Sequence, residues 1–195
     1  TFAKTAEEAA AAADAIGYPV VMKMTSTTVS HKTDVGGVRV GLASHDAVLE
    51  NFRDLVAKLE VKGLAEGFEG VIIQEMVVGK RETVCGIATD PQYGPMMMFG
   101  LGGIFVEALE DVAFRLAPLN DQDAKELVRS VKAFKLLQGA RGTTPAQIDR
   151  VEETLLRLSQ LVTDFPEVQE LDINPLMISE KNGEPIAVDG RIRIA

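Results

Sequence analysis

At 195 residues, 46% hydrophobic and 25% charged, the chain has the make-up of a folded globular protein, long enough for one large domain or two small lobes. This excludes a disordered chain; the longest apolar runs fall far short of a membrane span, and nothing near Thr1 resembles a secretory signal. The formal net charge is −9, from 29 acidic and 20 basic residues, with no tryptophan and two tyrosines, which argues against nucleic acid as the main partner but leaves room for a local phosphate site. The single cysteine, Cys85, has no internal disulfide partner and suits the reducing cytoplasm. It reads as a small hydrophobe inside a strand rather than a redox group. The chain opens on Thr1 without an initiator methionine, and we expect a piece of a longer polypeptide.

Thr5 with Glu8 three residues on forms a capping box, and the alanine-rich run to Ile16 predicts a helix that Gly17 and Pro19 end. Val20 to Met24 reads as a short buried strand, Thr25 to Gly37 as a polar loop, and Val38 to Leu42 as a strand. Ser44 caps a second helix with Val48, Phe52, Leu55, Val56 and Leu59 in one stripe. Gly70 to Val78 and Glu82 to Thr89 are β-rich runs around Gly79-Lys80 and predict antiparallel neighbours. Asp90-Pro91 marks a turn, Pro95 to Phe99 a strand, and Gly100-Leu-Gly-Gly103 a glycine loop. Val112 to Leu116 reads as a strand. Two amphipathic helices come next, one aligning Ala124, Leu127, Val128 and Val131. The other has Pro145 in its first turn and aligns Ile148, Val151, Leu155, Leu158 and Val162. Gln169 to Ile178 and Ile186 to Ile194 are the last strands, joined through Asn182-Gly183, a hairpin signal. The expected class is α+β with mainly antiparallel sheet.

Several groups in this order have chemistry to offer. Asp172 and Asn174 alternate onto one strand face, and Asp189 lies on the returning strand. Asn174 and Asp189 across that pair would give hard oxygen ligands for magnesium; both residues also suit a turn or strand edge. Ser30-His-Lys-Thr-Asp-Val-Gly-Gly37 carries two glycines that let backbone approach a phosphate. Its His31 suits an acid, base or phosphate acceptor, or a surface loop, whereas His45 beside Ser44 reads as a surface residue. Lys23 closes an apolar strand and must snorkel or meet an anion, either phosphate or a buried carboxylate. Gln74-Glu75-Met76-Val77, with Arg81-Glu82 after it, can offer an adenine edge backbone partners and a ribose a carboxylate. Gly100 to Glu107, with Arg115 after it, reads as a further phosphate-facing loop or a tight turn. Met22, Met24, Met96, Met97 and Met98 are most simply strand core.

The order of these signals resembles the ATP-grasp domain. The segments PVVMKM, SHKTDVGGVRV, GPMMMFGLGGIFVEALEDVAFRLAPL, LDINPL and AVDGRI are similar to the β-subunit, or fused β-like domain, of ADP-forming acetyl-CoA synthetases, a group that goes with succinyl-CoA synthetase. The resemblance runs from the first helix to the last strand. It implies a small lobe over 1–77, lacking the family's preceding helical segment, and a large lobe over 78–195 with a magnesium-binding hairpin. It implies that Lys23 binds nucleotide phosphates under a loop containing Gly36 and Gly37, and that Glu75, Val77 and Glu82 line the adenine and ribose pocket. Asn174 and Asp189 match the two magnesium-ligand positions, and His31 matches a proposed phosphohistidine. Gly102, Gly103, Glu107 and Arg115 match the family's glycine loop and the stretch after it. Gly190 departs from the small residue, often Ala, that related sequences carry there.

The implied function is reversible phosphoryl transfer between ATP or ADP, with Mg2+, and a phosphohistidine. CoA chemistry then falls to domains on the same polypeptide or on a partner α-subunit, in the cytoplasm, without nucleic acid or membrane. The alternative is a regulatory or degenerate ATP-grasp-like module of a bacterial protein acetyltransferase.

Overall fold

A computed structural model describes residues 1–29, 32, 35–79, 81–102, 111–132, 134–139 and 142–195. It divides into two compact units, Thr1–Met76 and Val77–Ala195.

In the first unit, β1 (Phe2–Ala3), β2 (Val20–Ser26), β3 (Val38–Leu42) and β4 (Phe68–Glu75) form an antiparallel sheet in the order β1-β4-β2-β3. One sheet face packs on α1 (Ala6–Ile16) and α2 (His45–Val61). The strand period of two decides what packs: Val20, Met22 and Met24 of β2 join Val71 and Ile73 of β4 under Ala9, Ala13, Val48, Leu55 and Leu59. Each fully buried Met or Leu there contributes roughly 1.5–3 kcal/mol by leaving water. Val21 and Lys23 alternate onto the other face. Thr5 Oγ1 accepts the Glu8 amide at 3.1 Å, as a capping box requires. The return arm differs from expectation, since Glu8 Oε2 accepts the Lys4 amide at 2.7 Å. The predicted loop also starts later than expected, because Thr25 and Ser26 remain paired to β4.

In the second unit, β5 (Arg81–Asp90), β6 (Gly94–Leu101), β7 (Val112–Leu116), β8 (Val168–Ile178) and β10 (Gly190–Ile194) lie in the order β10-β8-β5-β6-β7, and β9 (Pro185–Ala187) also pairs with β8. Helices α3 (Asp121–Ser130), α4 (Phe134–Leu137) and α5 (Ile148–Asp164) belong to this unit. Cys85, Ile87, Met97, Phe99 and Leu101 point into the core with Leu127, Val128, Val151, Leu155 and Leu158 from the helices. The alternate residues, among them Gly86, Ala88, Met98, Phe114 and Asp172, take the opposite, open face.

Four further expectations change. The strands on either side of Gly79-Lys80 are not neighbours: β4 has its two edges filled by β1 and β2, and β5 has its edges filled by β6 and β8. A strand has only two edges, so no position is left for a β4–β5 pair. Gly100 and Leu101 extend β6 instead of opening the glycine loop. Pro145 precedes α5 by three residues, and the N-cap position belongs to Gln147, whose side chain makes no capping bond. The last predicted strand is split into β9 and β10. The Val188 amide donates to the Pro175 carbonyl at 3.1 Å, and proline has no N–H with which to complete a ladder pair.

Candidate functional site

The second unit brings Asn174 and Asp189 together. The registers Gly190↔Ile173 and Leu176↔Ala187 flank the pair from both sides and set 174 opposite 189. The Asn174 amide donates to the Asp189 carbonyl at 3.1 Å. On its other side β8 carries a bulge: Leu176 pairs with Thr83 and Ile173 with Cys85, so Asn174 and Pro175 together stand opposite Val84. Ile173 and Leu176 both remain in the core, while Asn174 and Asp189 are exposed. Asp189 Oδ1 accepts the Gly190 amide at 3.1 Å, a local bond that restrains the carboxylate.

Two oxygen side chains of this kind fit a hard cation that keeps waters and substrate oxygens in its shell. Among the described residues no group of three His, Cys, Asp or Glu side chains is placed to hold a metal.

Glu82 and Gly102 also meet. The Gly102 amide donates to the Glu82 carbonyl at 2.6 Å, and a Cβ on Gly102 would stand 2.9 Å from Glu82 Cβ. Only glycine allows this approach. Arg115, in β7, is ion-paired with Glu126 of α3 and lies 4.0 Å from Asp123. Val77, half-buried, begins the second unit.

The first unit holds Lys23, Gly36, Gly37 and Glu75. Lys23 is 7% exposed, on the sheet face that the helices leave open, opposite Ile72 of β4 and Val38 of β3. Glu75 ends β4 and is exposed. Gly36 takes φ +72°, a region that favours glycine. Gly37 is glycine for another reason: its Cβ would lie 2.3 Å from Met24 Sδ and 2.9 Å from the Lys32 carbonyl. The Gly37 amide donates to Lys32 O at 2.7 Å and its carbonyl accepts the Met24 amide at 2.8 Å, so this glycine stitches the loop to β2. His31, Gly103 and Glu107 lie outside the described residues.

Arg81, expected with Glu82 beside a nucleotide's base and ribose, turns its guanidinium to three backbone carbonyls, those of Leu136, Leu137 and Thr144. Burial pulls its pKa below the ordinary arginine value, and the charge of Glu180 acts in the opposite sense. Asp172 lies opposite Gly86 and two residues from Asn174, so it shares that residue's face, about 7 Å along the strand. Cys85 is fully buried, and desolvation pushes its thiol up to about 12, which makes it inert.

The model of the ATP-grasp domain family matches residues 1–194. The chain is 46% identical, over 178 residues, to acetate–CoA ligase [ADP-forming] I of Archaeoglobus fulgidus, covering 91% of this chain and 26% of that protein. It is 42% identical to the β subunit of acetate–CoA ligase [ADP-forming] I of Pyrococcus furiosus, covering 97% of this chain and 81% of that subunit. Acetyl-coenzyme A synthetase 1 of Ca. Korarchaeum cryptofilum, solved with coenzyme A and Ca-AMPCP, superimposes with a TM-score of 0.93 at 40% identity, over 100% of this chain and 84% of that one. Another complex of that enzyme contains Mg-AMPPCP, with its phosphohistidine segment pointing towards the nucleotide binding site.

The chain belongs to the ATP-grasp domain family, in the group of the ADP-forming acetate–CoA ligases. It spans about a quarter of the first ligase it matches and about four fifths of the separate β subunit. Partner domains or a partner subunit accompany the domain in these relatives. The acetyltransferase alternative is not favoured, since the relatives at 42% and 46% identity are ligases. No helix among the described residues is long and apolar enough to cross a membrane.

Proposed function

We propose that this chain is the nucleotide-binding part of an ADP-forming acyl-CoA ligase, working in the cytoplasm with CoA-binding and ligase domains on the same polypeptide or on a partner α-subunit. It moves a phosphoryl group reversibly, ATP and a histidine giving ADP and a phosphohistidine, while acyl phosphate and thioester chemistry take place on those other domains. The observation that carries this reading is the Asn174/Asp189 pair, exposed on the open face of the sheet and held in register by two strands.

In this reading residues 1–77 act as the small lobe and 78–195 as the large lobe. Asn174 and Asp189 would hold magnesium, which would supply charge neutralisation for the polyphosphate. Lys23 neutralises phosphate oxygens, and its nearly complete burial would strengthen that attraction relative to water. Gly36 and Gly37 belong to the loop over the phosphates, with Gly37 as its anchor to β2. Glu75, Val77 and Glu82 line the base and ribose side. Gly102, Gly103, Glu107 and Arg115 would serve on the phosphate side, and Arg115 is also ion-paired with Glu126 of α3. His31 is the phosphoryl acceptor or relay.

The test is binding and labelling in the intact enzyme. MgADP should bind, and Asn174→Ala with Asp189→Ala should weaken Mg-dependent binding about tenfold or more. Label from γ-labelled ATP should be acid-labile and alkali-stable. His31→Ala with labelling and turnover intact would remove His31 from the relay; no Mg-dependent nucleotide binding at all would defeat the whole reading.

A further inference from the structure

The connection between the two units is tied down on both sides. In the first unit the Met76 amide donates to the Pro19 carbonyl at 3.3 Å. In the second, the Val78 carbonyl accepts the Glu180 amide at 3.1 Å, and a Cβ on Gly79 would stand 2.6 Å from the Ile178 carbonyl. Val77 lies between these anchors, and Arg81 is the first residue of β5.

Arg81 Nη1 donates to Leu136 O at 3.1 Å and to Leu137 O at 3.3 Å, and Nη2 donates to Thr144 O. Leu136 and Leu137 end the four-residue helix α4, where carbonyls have no partner within the helix. The segment so held is itself stitched to the β8–β9 hairpin: Thr144 Oγ1 donates to Glu180 O at 2.8 Å, and the Gln147 amide donates to Gly183 O at 2.8 Å. Glu180 is the residue whose amide holds Val78. The bonds thus run from Arg81 through Thr144 and Glu180 back to Val78, closing around the root of the connection.

We propose that Arg81 is a positioning residue for nucleotide binding: it fixes the root of the connection so that Val77 and Glu82 are presented in a set geometry. This rests on the nucleotide-binding reading above. Arg81 reaches towards α4 on the helix side of the sheet, and the strand period turns the side chain of its neighbour Glu82 to the open face, while Glu82 O, in the plane of the sheet, receives the Gly102 amide. The side chain therefore grips from beneath the strand end that carries Glu82 above. Arginine suits the task, because three carbonyls at separate positions need a forked donor, and the single ammonium of lysine does not span them.

In the intact enzyme, Arg81→Met should raise KM for the nucleotide about tenfold, the scale of one lost hydrogen bond to a charged group. KM for CoA and for the carboxylic acid should stay within about twofold. Arg81→Lys should fall between Arg81→Met and the parent. A folded Arg81→Met enzyme with an unchanged nucleotide KM, or with only kcat lowered, overturns the proposal. If Arg81→Met does not fold, hydrogen exchange on the parent decides: the amides of Ala146, Gln147 and Glu180 should exchange as slowly as those of β5, and exchange at loop rates overturns the clamp. Failure of the parent to bind MgADP would defeat the nucleotide reading itself, which separates the two.

Discussion

Replacing Gly37 by alanine separates two reasons for a glycine in the phosphate loop. A bare backbone for an approaching phosphate would matter only when nucleotide is bound. The structure adds a reason that acts without it: the new Cβ would sit 2.3 Å from Met24 Sδ, 2.4 Å from Met24 Cγ and 2.9 Å from Lys32 O. Met24 is fully buried in the first unit's core, so its side chain cannot swing into solvent, and the carbonyl belongs to the backbone that Gly37 itself bonds. Overpacking of this kind costs about 1–3 kcal/mol. Met24→Ala alone should cost about 2–5 kcal/mol, as large-to-small core changes do. Because the shortest contacts are with Met24, the double variant should be more stable than the sum of the singles by about 1–2 kcal/mol. Urea unfolding monitored by far-UV circular dichroism, without nucleotide, measures all four corners of the cycle. A Gly37→Ala chain within about 0.5 kcal/mol of the parent, with additive singles, would refute the packing argument.

Asp189→Asn should weaken nucleotide binding in magnesium while leaving binding in EDTA unchanged, as read by calorimetry under both conditions. Cys85 should resist a thiol reagent at pH 8 in the native chain and react once urea exposes it, because burial holds its thiol near 12. Hydrogen bonds from Tyr18 and then His45 lower the pKa of Asp14 below its usual 3.8. Its folded pKa being depressed, it contributes stability above 3.8 that is lost as pH falls through the lower folded value. The melting-temperature gap between parent and Asp14→Asn should therefore close in acid and be open at pH 7. Gly183→Ala should destabilise the hairpin, since φ is +77° and a Cβ would meet Pro145 O at 1.9 Å; an unchanged melting temperature would contradict this.

Much of the fold was legible because local signals and burial agreed. Ser44 accepts the Ala47 amide at 3.2 Å, and the stripe Val48, Phe52, Leu55 and Leu59 is buried as its spacing predicts. Period two placed Asn174 and Asp172 on one face, and the hairpin signal at Asn182-Gly183 set the return that delivers Asp189. The illegible part depends on partners distant in sequence. No local pattern reveals that β4 and β5 have their edges filled by other strands, or that Arg81 meets carbonyls 55 to 63 residues away. The same holds for Gly37, whose packing against Met24 is a tertiary contact concealed within a motif that suggests phosphate.

The bulge at Asn174-Pro175 turns one strand into two reading frames. Upstream, odd-numbered residues such as Leu171 and Ile173 feed the interior; downstream, even-numbered Leu176 and Ile178 do so. Grafting this hairpin onto another sheet would therefore require moving 172–176 and 187–190 as one block, because a single inserted or deleted residue would exchange what faces oil for what faces water.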